Sequence, residues 1–367
     1  MANPVRVLVV DDSPFMRYTI AKHLATDPNI LVVGSAQDGL DALNKIPVLT
    51  PDVVTLDVEM PRMDGLTTLE HIMHDCPTPV VMLSSLTQRG ANTTIQALMK
   101  GAVDFVAKPT TSTDMRLVVT ELTGKIKAAA GSMCGKTKTN GHLRQSKEPG
   151  QTLIESSLPA GEPTPQKAKK PGLRPFKEGD PVVVIGASTG GPRALQRVLS
   201  ALPADLSAAV AVVQHMPPGF TRSLAQRLND MSGLTVQEAS EGDRLALGMV
   251  LLAPGDFHLK FQPGKKIALD HGPRRNHVRP AVDVAMESAA ELYNSAVIGV
   301  VLTGMGSDGA AGAGCIKRAG GRVIAEHKST TVVYGMPRSV VEADLADKIV
   351  PLPDVAETIV QMVQHAS

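Results

Sequence analysis

Three residues far apart in the sequence have the types needed to cleave an acyl bond. Gly186-Ala187-Ser188-Thr189-Gly190 fits the pattern G-x-S-x-G, after the apolar run Val182 to Ile185 and before a helical pattern that begins at Pro192. Small residues let the chain turn sharply there and lift the Ser188 hydroxyl. The N–H groups opening the helix at Gly190 and Gly191 could serve an oxyanion, while a phosphate-binding glycine loop is the other reading of the same stretch. A serine needs a base to attack at neutral pH, and His215 stands at the carboxyl end of the next apolar run, Ala209 to Gln214. His258 and His327 compete for that role, and His271 and His277 read as loop residues. Asp308, beyond the run Ala296 to Leu302, would then orient the imidazole and complete a set recognised by roles rather than by chain order.

Asp308 lies inside a literal G-x-G-x-x-G, Gly304, Gly306 and Gly309, with Glu326 about where a ribose-binding acid is expected. A dinucleotide site therefore remains an alternative. Against it, the Asp308 carboxylate would sit where a pyrophosphate must bind, and Ser188 and His215 would have no task.

A second constellation lies near the N-terminus. Asp11 and Asp12 end the first apolar run, Asp57 ends the third, Ser84 ends the fourth and Lys108 follows the fifth. In a parallel sheet of order 2-1-3-4-5 these ends are neighbours. Three carboxylates crowded together call for a divalent cation, and oxygen-only ligands suit Mg²⁺. Asp57 could accept a phosphoryl group, Lys108 would pair with the new charge, and Ser84 could bond a phosphate oxygen. Each residue alone has a structural reading, as helix cap or exposed cation.

The elements that must position these residues follow an α/β rhythm twice. Residues 1–124 alternate β-branched runs (Val5 to Val10, Ile30 to Ser35, Val53 to Asp57, Val80 to Ser84, Val103 to Val106) with helical patterns such as Pro14 to Ala25 and Gln88 to Met99. From Asp180 the rhythm resumes with Val182 to Ile185, Ala209 to Gln214, Val250 to Ala253, Ala296 to Leu302 and Arg322 to Ala325. The fold class is thus α/β, with two doubly wound parallel sheets. Residues 125–178, rich in Gly, Pro, Ser, Thr, Lys and Gln, read as a solvated tether, with a basic tail that grips a partner as the alternative. The domains are placed at 1–124 and 179–367.

Charge and composition narrow the function classes. Between Lys125 and Glu178 stand eleven Lys and Arg against four Asp and Glu, a surplus of seven that leaves the rest of the chain at minus six for a total of +1. A mildly acidic folded part without a helix-turn-helix signal argues against nucleic acid as partner. Cys76, Cys134 and Cys315 form no C-x-x-C pair, which suggests reduced thiols rather than zinc or disulfides. No signal peptide or membrane span is legible, so a cytoplasmic location is expected. A regulatory binding module, for which Ser188 would be dispensable, remains a further alternative.

The segments "VLVVDDSPFMR", "VVTLDVEMPRMDGL", "VVMLSSLT" and "DFVAKP" resemble the receiver domain of two-component response regulators, over residues 5 to about 124. That resemblance implies a flavodoxin-like fold, phosphorylation at Asp57, metal-site acids Asp11 and Asp12, and switch residues Ser84, Phe105 and Lys108, with Phe105 where the family commonly has Tyr. "IGASTGGP", "QHMP" and "LTGMGSDGA" resemble the active-site segments of the chemotaxis protein-glutamate methylesterase family, CheB; "LLAPGDFHL" and "RPAVDV" resemble its supporting loops, with Ala281 where a Ser is usual. This second resemblance implies Ser188 as nucleophile, His215 as base, Asp308 as orienter, and Thr189 and the Met305 backbone around the reacting carbonyl. It implies glutamate methyl esters, and deamidation targets among glutamines, on methyl-accepting chemoreceptors as substrates, a chemotaxis histidine kinase as phosphodonor, and no cofactor for the esterase step. An unphosphorylated receiver would dock over Ser188, and Arg274, Arg275 and Arg279 are read either as receptor contacts or as a solvated loop.

Overall fold

The computed structural model describes residues 3–108, 115–133, 170 and 172–365. The first unit runs β1 (Val5–Val10), α1 (Pro14–Leu24), β2 (Ile30–Ala36), α2 (Gly39–Leu49), β3 (Val53–Asp57), α3 (Gly65–Asp75), β4 (Val80–Ser84), α4 (Gln88–Lys100), β5 (Asp104–Ala107) and α5 (Met115–Met133). Its five strands form one parallel sheet of order β2-β1-β3-β4-β5. β3 and β4 are buried along their whole length, as expected of strands with helices on both faces. Polar residues start the helices: Ser13, Asp38, Asp64 and Thr87 each accept a backbone N–H of the first turn.

The second unit begins with the short β6 (Arg174–Pro175) and continues β7 (Val182–Ala187), α6 (Gly191–Ala201), β8 (Ala209–Gln214), α7 (Phe220–Met231), β9 (Thr235–Glu238), β10 (Ala246–Leu247), β11 (Met249–Leu252), β12 (His258–Gln262) and β13 (Lys266–Asp270). It ends with α8 (Val282–Tyr293), β14 (Val297–Val301), α9 (Ala310–Arg318), β15 (Arg322–Glu326), α10 (Met336–Glu342), β16 (Lys348–Val350) and α11 (Leu352–Gln364). Seven parallel strands are ordered β16-β15-β14-β7-β8-β11-β9, with antiparallel pairs β6/β10 and β12/β13 beside them. The central strands β7, β8 and β14 are wholly buried. The edge strands β9 and β16 are short and partly polar, which is why no apolar run announced them.

The segment read as a tether is structured at both described ends. α5 continues past residue 124 to Met133 because Leu122, Ile126 and Ala129 keep a helical spacing and are buried against the first sheet. At the other end, Arg174 and Pro175 pair with Leu247 and Ala246, and Phe176 is buried. Lysine-rich composition concealed both: Lys127 lies on the exposed side of the apolar anchors, and Lys125 turns inward onto Asp104 and the Phe105 carbonyl. Residues 134–169, which include Cys134 and three of the seven surplus positive charges, lie outside the described residues. Among the described residues no helix is long and apolar enough to cross a membrane.

The two units share an apolar contact. Phe105 of β5 stacks on Phe220 of α7, ring centroids 4.5 Å apart, and α4 packs on α6 and α7. Ile95, Leu98 and Phe105 join Leu195, Phe220 and Leu224 in one continuous cluster.

Ile126 tests the extension of α5. Ile126→Ala should cost the first unit about 3 kcal/mol in denaturant unfolding, as for a core residue. A cost below about 0.5 kcal/mol, the usual effect of a surface substitution, would return residues 125–133 to a tether.

Candidate functional site

Ser188, His215 and Asp308 emerge at one rim because their strands are neighbours. β7 pairs with β8 in a register that sets Ala187 opposite Gln214, so Ser188 and His215 are the next residues on each strand. The His215 N–H donates to the Ala187 carbonyl at 3.1 Å, and the Gln214 side chain donates to the carbonyls of Ser188 (3.0 Å) and His215 (3.2 Å). Asp308 arrives from the other flank of β7, on the loop after β14, and its Oδ2 lies 2.7 Å from His215 Nε2. The nitrogen left to serve a hydroxyl is therefore Nδ1. Ser188 is half-buried, and its Oγ bonds no partner among the described residues.

Asp308 is buried at 2% exposure, and five donors surround it. Besides His215, Oδ2 accepts the Val282 N–H (2.7 Å), and Oδ1 accepts the N–H groups of Asp283 and Gly309 and the Asn276 amide, each at 3.1 Å. Burial works to raise its pKa, but His215 and the backbone donors overcome that and hold it below the ordinary carboxylate value. Asp283 sits beside it, buried, taking the N–H groups of Gly309 (2.9 Å) and Gly312 (2.8 Å) and a second bond from Asn276 (2.8 Å). Burial, with the neighbouring Asp308 charge, pushes Asp283 up. The sequence reading missed Asn276 and Asp283 as members of this network; "RPAVDV" was the nearest signal, and a lone Asp in a first helical turn looks like a dipole partner.

The competing histidines have other partners. His258 is buried between the Pro273 carbonyl and the Ala281 N–H, His271 meets Asp256, and His327 bonds Ser329. Of the three arginines, Arg275 is paired bidentately with Glu287 and Arg279 with Asp256, whereas Arg274 stays 3.7 Å from Asp256 and largely exposed.

The glycines of the 302–312 loop have structural uses. A Cβ on Gly304 would stand 2.7 Å from Ser188 Cβ, and Gly306 and Gly309 have φ of +89° and +97°, where a side chain is strained. Glu326 is fully buried and accepts the Thr303 N–H and the Thr330 hydroxyl. With Asp308 spent on His215 and Glu326 turned inward, the dinucleotide reading has neither an open phosphate loop nor a ribose acid.

The first unit covers this rim. The Thr189 hydroxyl donates to Asp104 Oδ2, and the Gly190 N–H donates to the Val103 carbonyl at 3.2 Å. The Gly191 N–H, expected as an oxyanion donor, is instead turned back onto the Ser188 carbonyl at 2.7 Å, closing the strand-to-helix turn. Met305 N–H donates to no acceptor among the described residues, and the Met305 side chain borders Gly124 of α5.

In the first unit, carboxylate oxygens of Asp11, Asp12 and Asp57 lie within 4.8 Å of one another. Lys108 Nζ is 2.7 Å from Asp57 Oδ2 and 2.8 Å from Asp11 Oδ2; the latter oxygen, fully buried, is within ion-pair reach but off hydrogen-bond direction. Burial raises Asp57 to about 6, with Lys108 offsetting part of the rise. Lys108 itself is raised: burial opposes its charge, and the two carboxylates outweigh that. An all-oxygen donor set with one orphaned oxygen fits a hard divalent cation. Ser84 is buried beside it, accepting the Thr94 hydroxyl at 2.6 Å and donating to the Ser85 carbonyl. Phe105 is 2% exposed and turned into the contact with Phe220.

Comparison with known proteins agrees with both halves. Residues 7–120 match the response regulator receiver domain and residues 183–359 match the CheB methylesterase domain. A protein-glutamate methylesterase/protein-glutamine glutaminase of Symbiobacterium thermophilum is 49% identical over 98% of this chain and 97% of its own, and that of Thermotoga maritima is 45% identical over 98% of each. The crystal structure of the T. maritima CheB methylesterase catalytic domain, 51% identical, covers 50% of this chain and 98% of its own, with a TM-score of 0.49. The chain therefore belongs to the CheB methylesterase family, with a response regulator receiver domain ahead of its methylesterase domain.

Proposed function

We propose that the chain is a phosphorylation-activated serine hydrolase that removes methyl groups from glutamate esters of methyl-accepting chemoreceptors and converts specific receptor glutamines to glutamates, in a cytoplasmic chemotaxis pathway. The observation that carries this reading is the 2.7 Å bond between His215 Nε2 and Asp308, at the rim where Ser188 follows the adjacent strand. Ser188 Oγ attacks the ester carbonyl as His215 Nδ1 takes its proton. Asp308 fixes the imidazole tautomer and stabilises the imidazolium. The tetrahedral oxyanion is met by donors near Ser188, with Met305 N–H and Thr189 in its surroundings. His215 returns the proton to the departing methoxide, releasing methanol. Water, deprotonated by the same imidazole, then attacks the acyl-enzyme to give the carboxylic acid and restore the serine. With a glutamine substrate the leaving group is ammonia.

Regulation acts through the receiver. A chemotaxis histidine kinase supplies the phosphoryl group to Asp57, and Lys108 is placed to pair with the added charge. Asp11, Asp12 and Asp57 would hold Mg²⁺, which, when bound, offsets the negative charge gathered at the acceptor. β5 joins the two sites: Lys108 follows one end, Val103 and Asp104 stand at the other, and these two occupy the Gly190 N–H and the Thr189 hydroxyl. In the unphosphorylated chain the receiver therefore covers the ester site, and phosphorylation shifts the population toward an open arrangement.

Three outcomes follow. Ser188→Ala should abolish methanol release from a methylated receptor fragment with or without phosphodonor; residual turnover within tenfold of wild type would exclude Ser188 as nucleophile. Asp104→Ala should raise the unphosphorylated rate about tenfold, in the range of a coupling of one to three kcal/mol, and shrink the response to phosphodonor; an unchanged basal rate would remove Asp104 from the inhibitory contact. Asp57, raised to about 6 from an unfolded value near 4, binds more protons folded than unfolded between those pH values. Stability thus falls as pH rises through that window when no divalent cation is bound. Asp57→Asn should melt higher than wild type at pH 7.5 in chelator, by on the order of 2 kcal/mol of stability, and the gain should fade toward pH 4; equal melting at pH 7.5 would contradict the buried charge.

A further inference from the structure

Glu326 has no part in the reaction described above. It ends β15 with 0% exposure, and both of its acceptor oxygens are engaged: Oε2 takes the Thr303 N–H at 2.8 Å and Oε1 takes the Thr330 hydroxyl at 3.0 Å. Neither partner is a cation. An acid buried among neutral donors is costly, and burial pushes its pKa above the ordinary value. A hydrophobic residue at this strand end would avoid that cost, so the acceptors must hold something in place.

What they hold is Thr303, and Thr303 holds the nucleophile loop at two points. Its carbonyl accepts the Ser188 N–H at 3.0 Å, and its hydroxyl donates to the Thr189 carbonyl at 3.0 Å while accepting the Val333 N–H at 2.9 Å. The next residue, Gly304, approaches Ser188 so closely that a Cβ would meet Ser188 Cβ at 2.7 Å. Through Thr330, whose hydroxyl also accepts the Leu352 N–H at 3.0 Å, the same carboxyl secures the 327–333 loop, and Val332 of that loop lies under Gly190. The two sides of the Ser188 turn are thus referred to one buried group.

We infer that Glu326 is a positioning residue for Ser188: acting through Thr303, it sets the height of the serine backbone against His215. The inference rests on the reading of Ser188 as nucleophile. Proton transfer to His215 demands hydrogen-bond reach, and a misplacement of about 1 Å costs on the order of a hundredfold in rate. Thr303 and Glu326 are both buried beneath the turn, so the loss should fall on the chemical step and not on binding.

The test uses the full-length chain at saturating phosphodonor and Mg²⁺, with methanol release from a methylated receptor fragment as readout. Glu326→Ala should lower kcat at least about tenfold and leave KM within about twofold. Glu326→Gln should restore most of kcat, since its Oε1 can keep the Thr303 N–H while its amide donates to Thr330 Oγ1, whose proton turns to the His327 carbonyl 3.2 Å away. Glu326→Asp, which keeps an acid but withdraws it by one methylene from the Thr303 N–H, should reproduce the loss of kcat and decides the matter if the alanine variant does not fold. Wild-type kcat in a folded Glu326→Ala or Glu326→Asp, or a rise in KM at unchanged kcat, would overturn the inference, and so would a Gln variant as impaired as the Ala variant. A Ser188→Ala control that still releases methanol would instead remove the nucleophile reading, a failure distinct from the others.

Discussion

The contact on which the rest depends is the one between His215 and Asp308. A carboxylate at 2% exposure remains charged only if donors replace the water it has lost, and here five of them do, three from the backbone around the start of α8 and α9. That demand explains features of the chain that would otherwise look arbitrary. The loop after β14 must turn through Gly306 and Gly309 to bring Asp308 back to the rim, α8 must begin at Val282 to supply its first N–H groups, and Asn276 must bridge two carboxylates that would repel each other. Asp283, the second of these, fastens Gly309 and Gly312, so the helix that follows Asp308 is tied to the one that feeds it.

The turn that carries Ser188 is complete without help from outside, apart from two donors. The Gly191 N–H closes onto Ser188 and the Ser188 N–H onto Thr303, but the Thr189 hydroxyl and the Gly190 N–H find their acceptors in the receiver. The two donors beside Ser188 are in this way satisfied by a carboxylate and a carbonyl of the chain itself. The apolar stack of Phe105 on Phe220 and the ion pairs of Lys125 with Asp104 and Glu121 set the receiver strand at that position. β5 spans only four residues, Asp104 to Ala107, so Lys108 and the Asp104 contact with Thr189 stand about 13 Å apart along one strand.

Much of this was legible in the sequence for a physical reason. Fully buried parallel strands must be continuous apolar runs, so β1, β3, β4 and β8 announced themselves with their bounds, and the polar residues just past their ends marked the rims where ligands act. The convergence of Ser188, His215 and Asp308 on one rim, and of Asp11, Asp12, Asp57 and Lys108 on another, followed from residue type and strand-end position. What escaped was set by tertiary contact. Asn276 looks like a loop residue until its amide is seen between two carboxylates, Gly191 offers its N–H to the turn and not to an oxyanion, and residues 125–133 look like a tether until Ile126 is found in the core. Ser84 was placed at the correct strand end, but its bond to Thr94 depends on α4, which sequence spacing does not reveal.

On the proposed function, the receiver silences the enzyme by occupying donors of the Ser188 turn, and phosphorylation frees them. Hydrogen–deuterium exchange at the Gly190 amide, read in the full-length chain with Mg²⁺ before and after a small phosphodonor, tests this at the atom concerned. Exchange should be slow in the unphosphorylated protein, where Val103 caps that N–H at 3.2 Å, and clearly faster on phosphorylation, in parallel with the rise in methanol release. Ester hydrolysis that rises while the Gly190 amide keeps its protection would contradict it.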